Sequence, residues 1–210
     1  NHMEKKFKIK EAISYAWSKF KEHAWKFVCI SFIVFLIRVL SNIPEKYIGV
    51  LPSVLFGTVS LVVGLVVQVT IIKIVLKVLD KQNFEVNDIW EITWKDVGLY
   101  YKSSIIVGLI VLGGFILLII PGLIWMYKYM FAPYLALDKR MGWRESIKES
   151  GRITDGHKWN LVSFSIGLFL LNVLGVISFG LGLFITIPMT WLATAYVYRK
   201  LAGSKITEEN

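Results

Sequence analysis

Four apolar blocks constrain this chain more than any other feature. Residues 27–40, 54–67, 105–120 and 161–176 each hold at most one strongly polar side chain. A helix on the surface of a soluble protein shows one apolar stripe, whereas a segment apolar all round lies deep in a core or in lipid. One core in a 210-residue chain cannot enclose so many such segments. Hydrophobic residues make up 55% of the chain, above the about 45–50% usual for soluble domains. Bilayer crossings take roughly 17–25 mostly apolar residues. The expectation is an all-α, polytopic helical membrane protein with one domain over residues 3–210. Asn1-His2 ahead of Met3 reads as a cloning scar. No cleavable signal peptide is expected, because the first apolar block follows a long basic segment and contains Arg38. The single cysteine, Cys29, falls in a predicted span and can form no internal disulfide.

Turn signals divide the apolar material into three hairpins, and so about six transmembrane helices. Hairpin 1 occupies 25–79 and turns at NIPEK. Hairpin 2 runs over 103–120, turns at Pro121-Gly122 and returns over 123–137. Hairpin 3 runs over 159–179, turns near Gly180 and Gly182, and returns over 183–198. The segment 123–137 is short for a span and holds Lys128 and Pro133. A full span, a kinked continuation and a re-entrant segment all remain open for it.

Each hairpin follows a polar connector. In the first, residues 3–24, a spacing of 100° per residue puts Ile9, Ala12, Ile13, Ala16, Trp17 and Phe20 on one arc, with Lys10, Glu11, Ser14 and Lys21 opposite. That pattern suits a helix lying in the membrane interface. The second connector opens hairpin unit 84–137. Asp88 with Glu91 resembles a capping box there, and Ile89, Trp90, Thr93, Trp94 and Val97 form its apolar face. The third opens unit 141–199 with a stripe of Ile147, Ser150, Gly151 and Thr154, small residues suited to close packing.

The first and third units repeat one another. Residues 11–31 align without a gap on 145–165, with Glu11, Ile13, His23, Trp25, Val28 and Ser31 meeting identical residues. The middle copy keeps only Phe84, Asp88 and Trp94. The units also end alike, in IVLKVLDKQ, PYLALDKRM and YVYRKLAG.

The formal net charge is +9, from 24 Lys and Arg against 15 Asp and Glu. Lys and Arg crowd the amino-terminal segment, both long connectors and the tail, while the three turns on the other side offer only Lys46. Such asymmetry predicts a multi-pass protein of the cell membrane with cytoplasmic termini. It also assigns the charge to anionic headgroups rather than to nucleic acid.

Trp17, Trp25, Trp94 and Trp159, with His23 and His157, read as interfacial anchors. Pro52, Pro133 and Pro188 fall in the second helices of their hairpins and read as kinks. Two native histidines and one cysteine build no credible metal shell, and no cofactor motif or catalytic signature is present. Arg38 and Lys128 lie in predicted spans without an acidic partner. They are the candidate lipid-binding cations, with a lipid phosphate as the anion that answers them.

The stretch IIPGLIWMYKYMFAPYLALDKRMGWRESIKESGRITDG resembles a prokaryotic group: the YciC-like small membrane proteins and the membrane domain preceding some glycerophosphoryl diester phosphodiesterases. Pro133, Asp138, Gly142 and Ser150 at their spacings carry the resemblance, which spans roughly residues 78–200. It implies six helices in a cell membrane. With no catalytic domain before Asn210, it implies no enzymatic role. The functional expectation is a non-catalytic protein that organises anionic lipids or a partner, either another membrane protein or a second copy. The alternative is a small transporter using Pro-kinked helices.

Overall fold

The structure is a computed structural model that describes residues 7–41, 49–80, 92–178 and 180–203. Their regular structure is helical throughout. In chain order come α1 (Ile9–Glu22), α2 (Ala24–Ser41), α3 (Val50–Leu79), α4 (Trp94–Leu117) and α5 (Ile119–Tyr129). Then follow α6 (Ala132–Asp138), α7 (Trp143–Ile153), α8 (Lys158–Ile177) and α9 (Leu183–Ala202).

Helix α9 is the central element, packing against α1, α2, α3 and α8. Its neighbours differ along its length. Near its start, Phe184 meets Phe32 and Phe35 of α2 with ring centroids 6.1 and 5.8 Å apart. Near its end, Leu192, Val197, Tyr198 and Leu201 are fully buried with the last turns of α3, among them Val69, Val75 and Leu79. Asn172 of α8 donates to Thr190 Oγ1 of α9 at 2.9 Å, the kind of polar clasp that joins helices in lipid. The tight core therefore sits at the end where the connectors lie. The opposite ends of α3, α4 and α8 expose apolar side chains such as Leu55, Ile116 and Leu174. At ~1.5 Å per residue the 30 residues of α3 reach about 45 Å, longer than a ~30 Å hydrocarbon core. Its last turns accordingly enter the packed end.

In place of the expected six spans, three helices among the described residues are long and apolar enough to cross a membrane: Pro52–Leu79, Trp94–Leu117 and Lys158–Ile177. Among the described residues α2 contributes the apolar stretch Ala24–Leu36. Helix α5, with 11 residues, reaches only about 16 Å. Helix α9 carries Arg199 and Lys200 in its last turn and hides 11 residues inside the protein.

Under the 11–31 to 145–165 alignment the helices begin in register. Ile9 and Trp143 open α1 and α7, and Ala24 and Lys158 open α2 and α8, each pair 134 positions apart. His23 and His157 mark the break between the two helices in both units. The middle unit has no such break after Trp94, and its span starts there. Its capping box is Thr93 with Asp96, the Thr93 side chain accepting from the Asp96 N–H while Asp96 accepts from the Thr93 N–H. The expected Asp88–Glu91 box, with Ile89 and Trp90, lies outside the described residues, as does the NIPEK turn with Lys46.

The apolar arc of α1 is divided, and the expected turn at Pro121-Gly122 and kink at Pro52 are corrected. Ala12, Ala16 and Phe20 are buried in the contact of α1 with α9, leaving Ile9, Ile13 and Trp17 along a groove beside Met189. The second hairpin reverses at Leu118, whose extended backbone (φ −165°, ψ 151°) separates α4 from α5. Pro121 instead sits in the first turn of α5, where its missing N–H costs nothing. Pro52 is likewise in the first turn of α3 rather than at a kink. Pro133 opens α6 after the break at Met130 and Phe131, and Pro188 lies inside α9. Segment 123–137 is thus two helices, not one continuous span.

Candidate functional site

The carboxyl-terminal ends of α3, α6 and α9 converge. Aligning the three unit endings on their shared hydrophobic residues puts Asp80, Asp138 and Arg199 in equivalent places. The fold brings these three together. Arg199 donates through Nη2 to Asp80 Oδ2 at 2.6 Å and through Nη1 to Asp138 Oδ2 at 2.8 Å. Tyr198 Oη also donates to Asp138 Oδ2, at 2.7 Å. The Arg199 side chain is 9% exposed, so two carboxylates neutralise one buried guanidinium. Asp80 stands just beyond the apolar part of α3. Burial pushes its carboxyl above the ordinary range and the neighbouring Asp138 adds to this, against the pull of Arg199.

A second set of charges adjoins the first. Lys73 donates to Asp96 Oδ2 at 2.7 Å, and Arg140 Nη2 stands 3.7 Å from Asp96 Oδ1. Asp96 is 1% exposed and also receives the Thr93 hydroxyl at 2.8 Å. Lys73, Lys77, Asp80, Asp138, Arg140 and Arg199 line a half-open cavity of about 200 Å³.

The third feature lies between α5 and α7. Helix α7 turns Ser146, Ser150 and Thr154 inward, all fully buried. Ser150 Oγ and Thr154 Oγ1 each donate to the Lys128 carbonyl at 3.0 Å, capping the end of α5. Ser146 and Ser103 of α4 share a hydrogen bond at 3.1 Å. These hydroxyls are committed to packing, as the small-residue stripe implied. Lys128, Arg144, Lys148 and Arg152 face an open groove of about 500 Å³, beside Tyr129 and Ile147. Arg152 is held by Glu149 through two bonds of 2.7 and 2.6 Å. Lys128 and Arg144 lie over the rings of Tyr129 and Trp143, at 5.4 and 4.9 Å from their centroids. Lys128, Arg144 and Lys148 have no carboxylate partner among the described residues.

Lys128 is thereby placed beside connector helix α7, with Gly151 close to its side chain. The side chain of Arg38 lies outside the described residues. Its position on α2 is about 21 Å beyond Ala24, away from the connector end. The anchors are disposed as follows: Trp25, Trp94 and Trp159 are 79, 71 and 83% exposed at the first turns of α2, α4 and α8, and Trp17 is exposed on α1. His23 is partly buried, and burial, helped by nearby Lys26, pushes its imidazole below the ordinary value. Among the described residues no group of three or more His, Cys, Asp or Glu side chains is placed to hold a metal ion.

Sequence reasoning gave no site role to Lys73, Asp80, Asp96, Asp138, Arg140 or Arg199. One signal was present, since the three similar unit endings carry Asp, Asp and Arg at matching positions. Lys73 was hidden because α3 continues past the bilayer depth that its apolar block suggested.

No protein-family model matches the chain, and no solved structure matches it. The chain is 26% identical over 114 residues to "Uncharacterized protein Rv2560" of Mycobacterium tuberculosis (strain ATCC 25618 / H37Rv), covering 54% of this chain and 35% of that protein. "Uncharacterized protein Mb2590" of Mycobacterium bovis (strain ATCC BAA-935 / AF2122/97) is similar to the same extent. The matched region thus covers about a third of the length of these curated relatives.

Proposed function

We propose that this chain is a non-catalytic integral membrane protein that holds anionic lipid at its connector-side surface. The carrying observation is the α5–α7 groove, where Lys128, Arg144 and Lys148 face outward without a carboxylate partner among the described residues. The groove adjoins a protein whose long helices expose apolar side chains at the other end. A lipid phosphate accepts hydrogen bonds from such cations, bidentately from Arg144 and as a point charge from the lysines. Lys128, singled out for this role with Arg38, keeps it here with two neighbours from α7. Trp25, Trp94 and Trp159 serve as headgroup-level anchors on the same side.

Basic residues near a membrane surface contribute about 1 kcal/mol each toward anionic lipid. Lys128→Gln, Arg144→Gln and Lys148→Gln together are expected to weaken phosphatidylglycerol binding about a hundredfold in nanodiscs. Thermal unfolding in phosphatidylcholine nanodiscs should change little, because none of the three side chains has a carboxylate partner among the described residues. Equal stabilisation of wild type and triple variant by phosphatidylglycerol rules this site out.

The connector side is read as cytoplasmic from its excess of Lys and Arg. With Cys29→Ala as background, a cysteine replacing Lys148 is expected to react with impermeant maleimide only after cell lysis. A cysteine replacing Ser178, at the turn between α8 and α9, should react in intact cells. Labelling of both from one side would end the spanning assignment of α8.

A further inference from the structure

The cations of the α5–α7 groove are spread along it rather than gathered at one point. Helix α7 carries Arg144, Lys148, Gly151 and Arg152 on one arc, with Glu145 and Glu149 further round the helix. Glu149 reaches back to answer Arg152 at 2.6 Å, and Lys158 answers Asp155 at 3.6 Å. Lys128, Arg144 and Lys148 remain, with no carboxylate partner among the described residues.

The two outer cations are each held beside an aromatic ring. Lys128 lies against Gly151, where an added Cβ would stand 3.2 Å from Lys128 Cε and 3.8 Å from the Tyr129 ring. The Lys128 ammonium is 5.4 Å from the centre of that ring. At the other end, the Arg144 guanidinium is 4.9 Å from the centre of the Trp143 ring, at the residue that opens α7. Such cation–π contacts favour one placement of a charged head over others. Gly151 is seven residues beyond Arg144 on α7, about 10 Å along the axis. Lys148 stands between them. A single phosphate group is much smaller than this span and meets one end of the groove at a time.

We propose that the groove selects a lipid bearing two phosphodiesters joined by a short polyol spacer over a lipid bearing one. This rests on the lipid-binding reading of the groove and names its ligand class. Arg144 meets one phosphodiester with a planar fork of donors, and Lys128 meets the other as a point charge. Lys148, between them, adds its charge to both. Two negative charges against three cations leave each phosphate attracted, whereas a lipid with one phosphate leaves an end of the groove without an anion. Joining the two phosphates makes the second contact intramolecular, so it is gained without immobilising a second lipid. A pyrophosphate, whose two phosphorus atoms share one bridging oxygen, is too short to reach both ends. The groove, of about 500 Å³, is open along its length.

The test uses the full chain in neutral maltoside detergent, with bound lipid counted by native mass spectrometry across a titration. The probes are cardiolipin, whose two phosphodiesters share a glycerol, and phosphatidylglycerol, which has one. Counting phosphates alone favours cardiolipin about twofold per mole. One further cation met, about fivefold, raises the preference expected of wild type to about tenfold. Lys128→Gln and Arg144→Gln should each return it to about twofold, while phosphatidylglycerol still binds through the cations that remain. Lys102→Gln removes an exposed charge of α4 outside the groove and should keep the wild-type preference. A wild-type preference of only about twofold overturns the two-phosphate reading. Phosphatidylglycerol binding that persists there, and is lost in the triple variant, keeps the groove as a site for lipids with one phosphate. A preference retained by either single variant also overturns the proposal, since one end then suffices. If neither lipid binds, this proposal falls together with the lipid-binding reading on which it rests.

Discussion

Arg199→Met is expected to destabilise the folded chain by about 3–5 kcal/mol, read as a fall in chemical or thermal unfolding midpoint in detergent. The side chain is 9% exposed and its two partners are Asp80 and Asp138. Removing it leaves two neighbouring carboxylates in a poorly solvated place with no cation between them. The single variants separate the contributions. Asp138 accepts from both Arg199 and Tyr198, whereas Asp80 accepts from Arg199 alone among the bonds seen and is pushed toward its protonated form by burial. Asp138→Asn should therefore cost more than Asp80→Asn. The sign with pH follows from the raised carboxyl of Asp80. Its contribution to stability is full below the ordinary carboxylate range and is lost as pH rises through the folded value. Asp80→Asn should flatten that part of the stability–pH curve. The triple variant Arg199→Met, Asp80→Asn, Asp138→Asn should recover most of the loss, because an intact buried ion network is close to neutral against an uncharged replacement. If Arg199→Met unfolds at the wild-type midpoint, the convergence of the three unit ends does not hold the fold together.

Gly114→Ala and Gly182→Ala are each expected to cost about 1–3 kcal/mol from overpacking, while Gly113→Ala gains about 0.5–1 kcal/mol. The opposite signs at adjacent positions arise from packing. A Cβ on Gly114 would stand 2.9 Å from the Gly122 Cα, across the reversal between α4 and α5, and 2.7 Å from the Trp125 ring. A Cβ on Gly182 would stand 2.8 Å from the Gly175 Cα, across the reversal between α8 and α9. Backbone meets backbone in both hairpins, so no side-chain rotation relieves the clash. Gly113 has nothing within 4 Å, and alanine there removes only the conformational freedom of glycine. Unfolding midpoints of the three variants, measured under one detergent condition, check the order. A stabilised Gly114→Ala would mean that the two helices do not approach as closely as the Gly114–Gly122 contact requires.

Helical structure was legible because it is written locally. Apolar blocks too continuous for a soluble surface led to α2, α3, α4 and α8. The aligned His-x-Trp copies located the starts of α2 and α8 at matching positions. The Gly180 and Gly182 turn marked the third reversal, between α8 and α9. Elsewhere local signals were ambiguous. Pro121-Gly122 has the composition of a turn, yet proline is equally at home in a first helical turn, and Gly122 is small because the Phe115 ring lies where its Cβ would be. The apolar arc of α1 was visible, but sequence periodicity does not say whether lipid or protein receives it.

The sequence by itself determined that this chain is helical, where most of its long helices begin and end, and that its cations gather in the connectors and terminal segments. Hydrophobic period, composition and turn residues act over a few neighbouring positions, so one dimension suffices to read them. Only the tertiary structure decided that α9 is the centre, that Lys128 faces connector α7, and that Asp80, Asp138 and Arg199 meet. The Arg199–Asp80 bond joins residues 119 positions apart. Partners at such separation are chosen by how the helices pack, and burial of the apolar faces of α3, α6 and α9 carries their charged ends into contact.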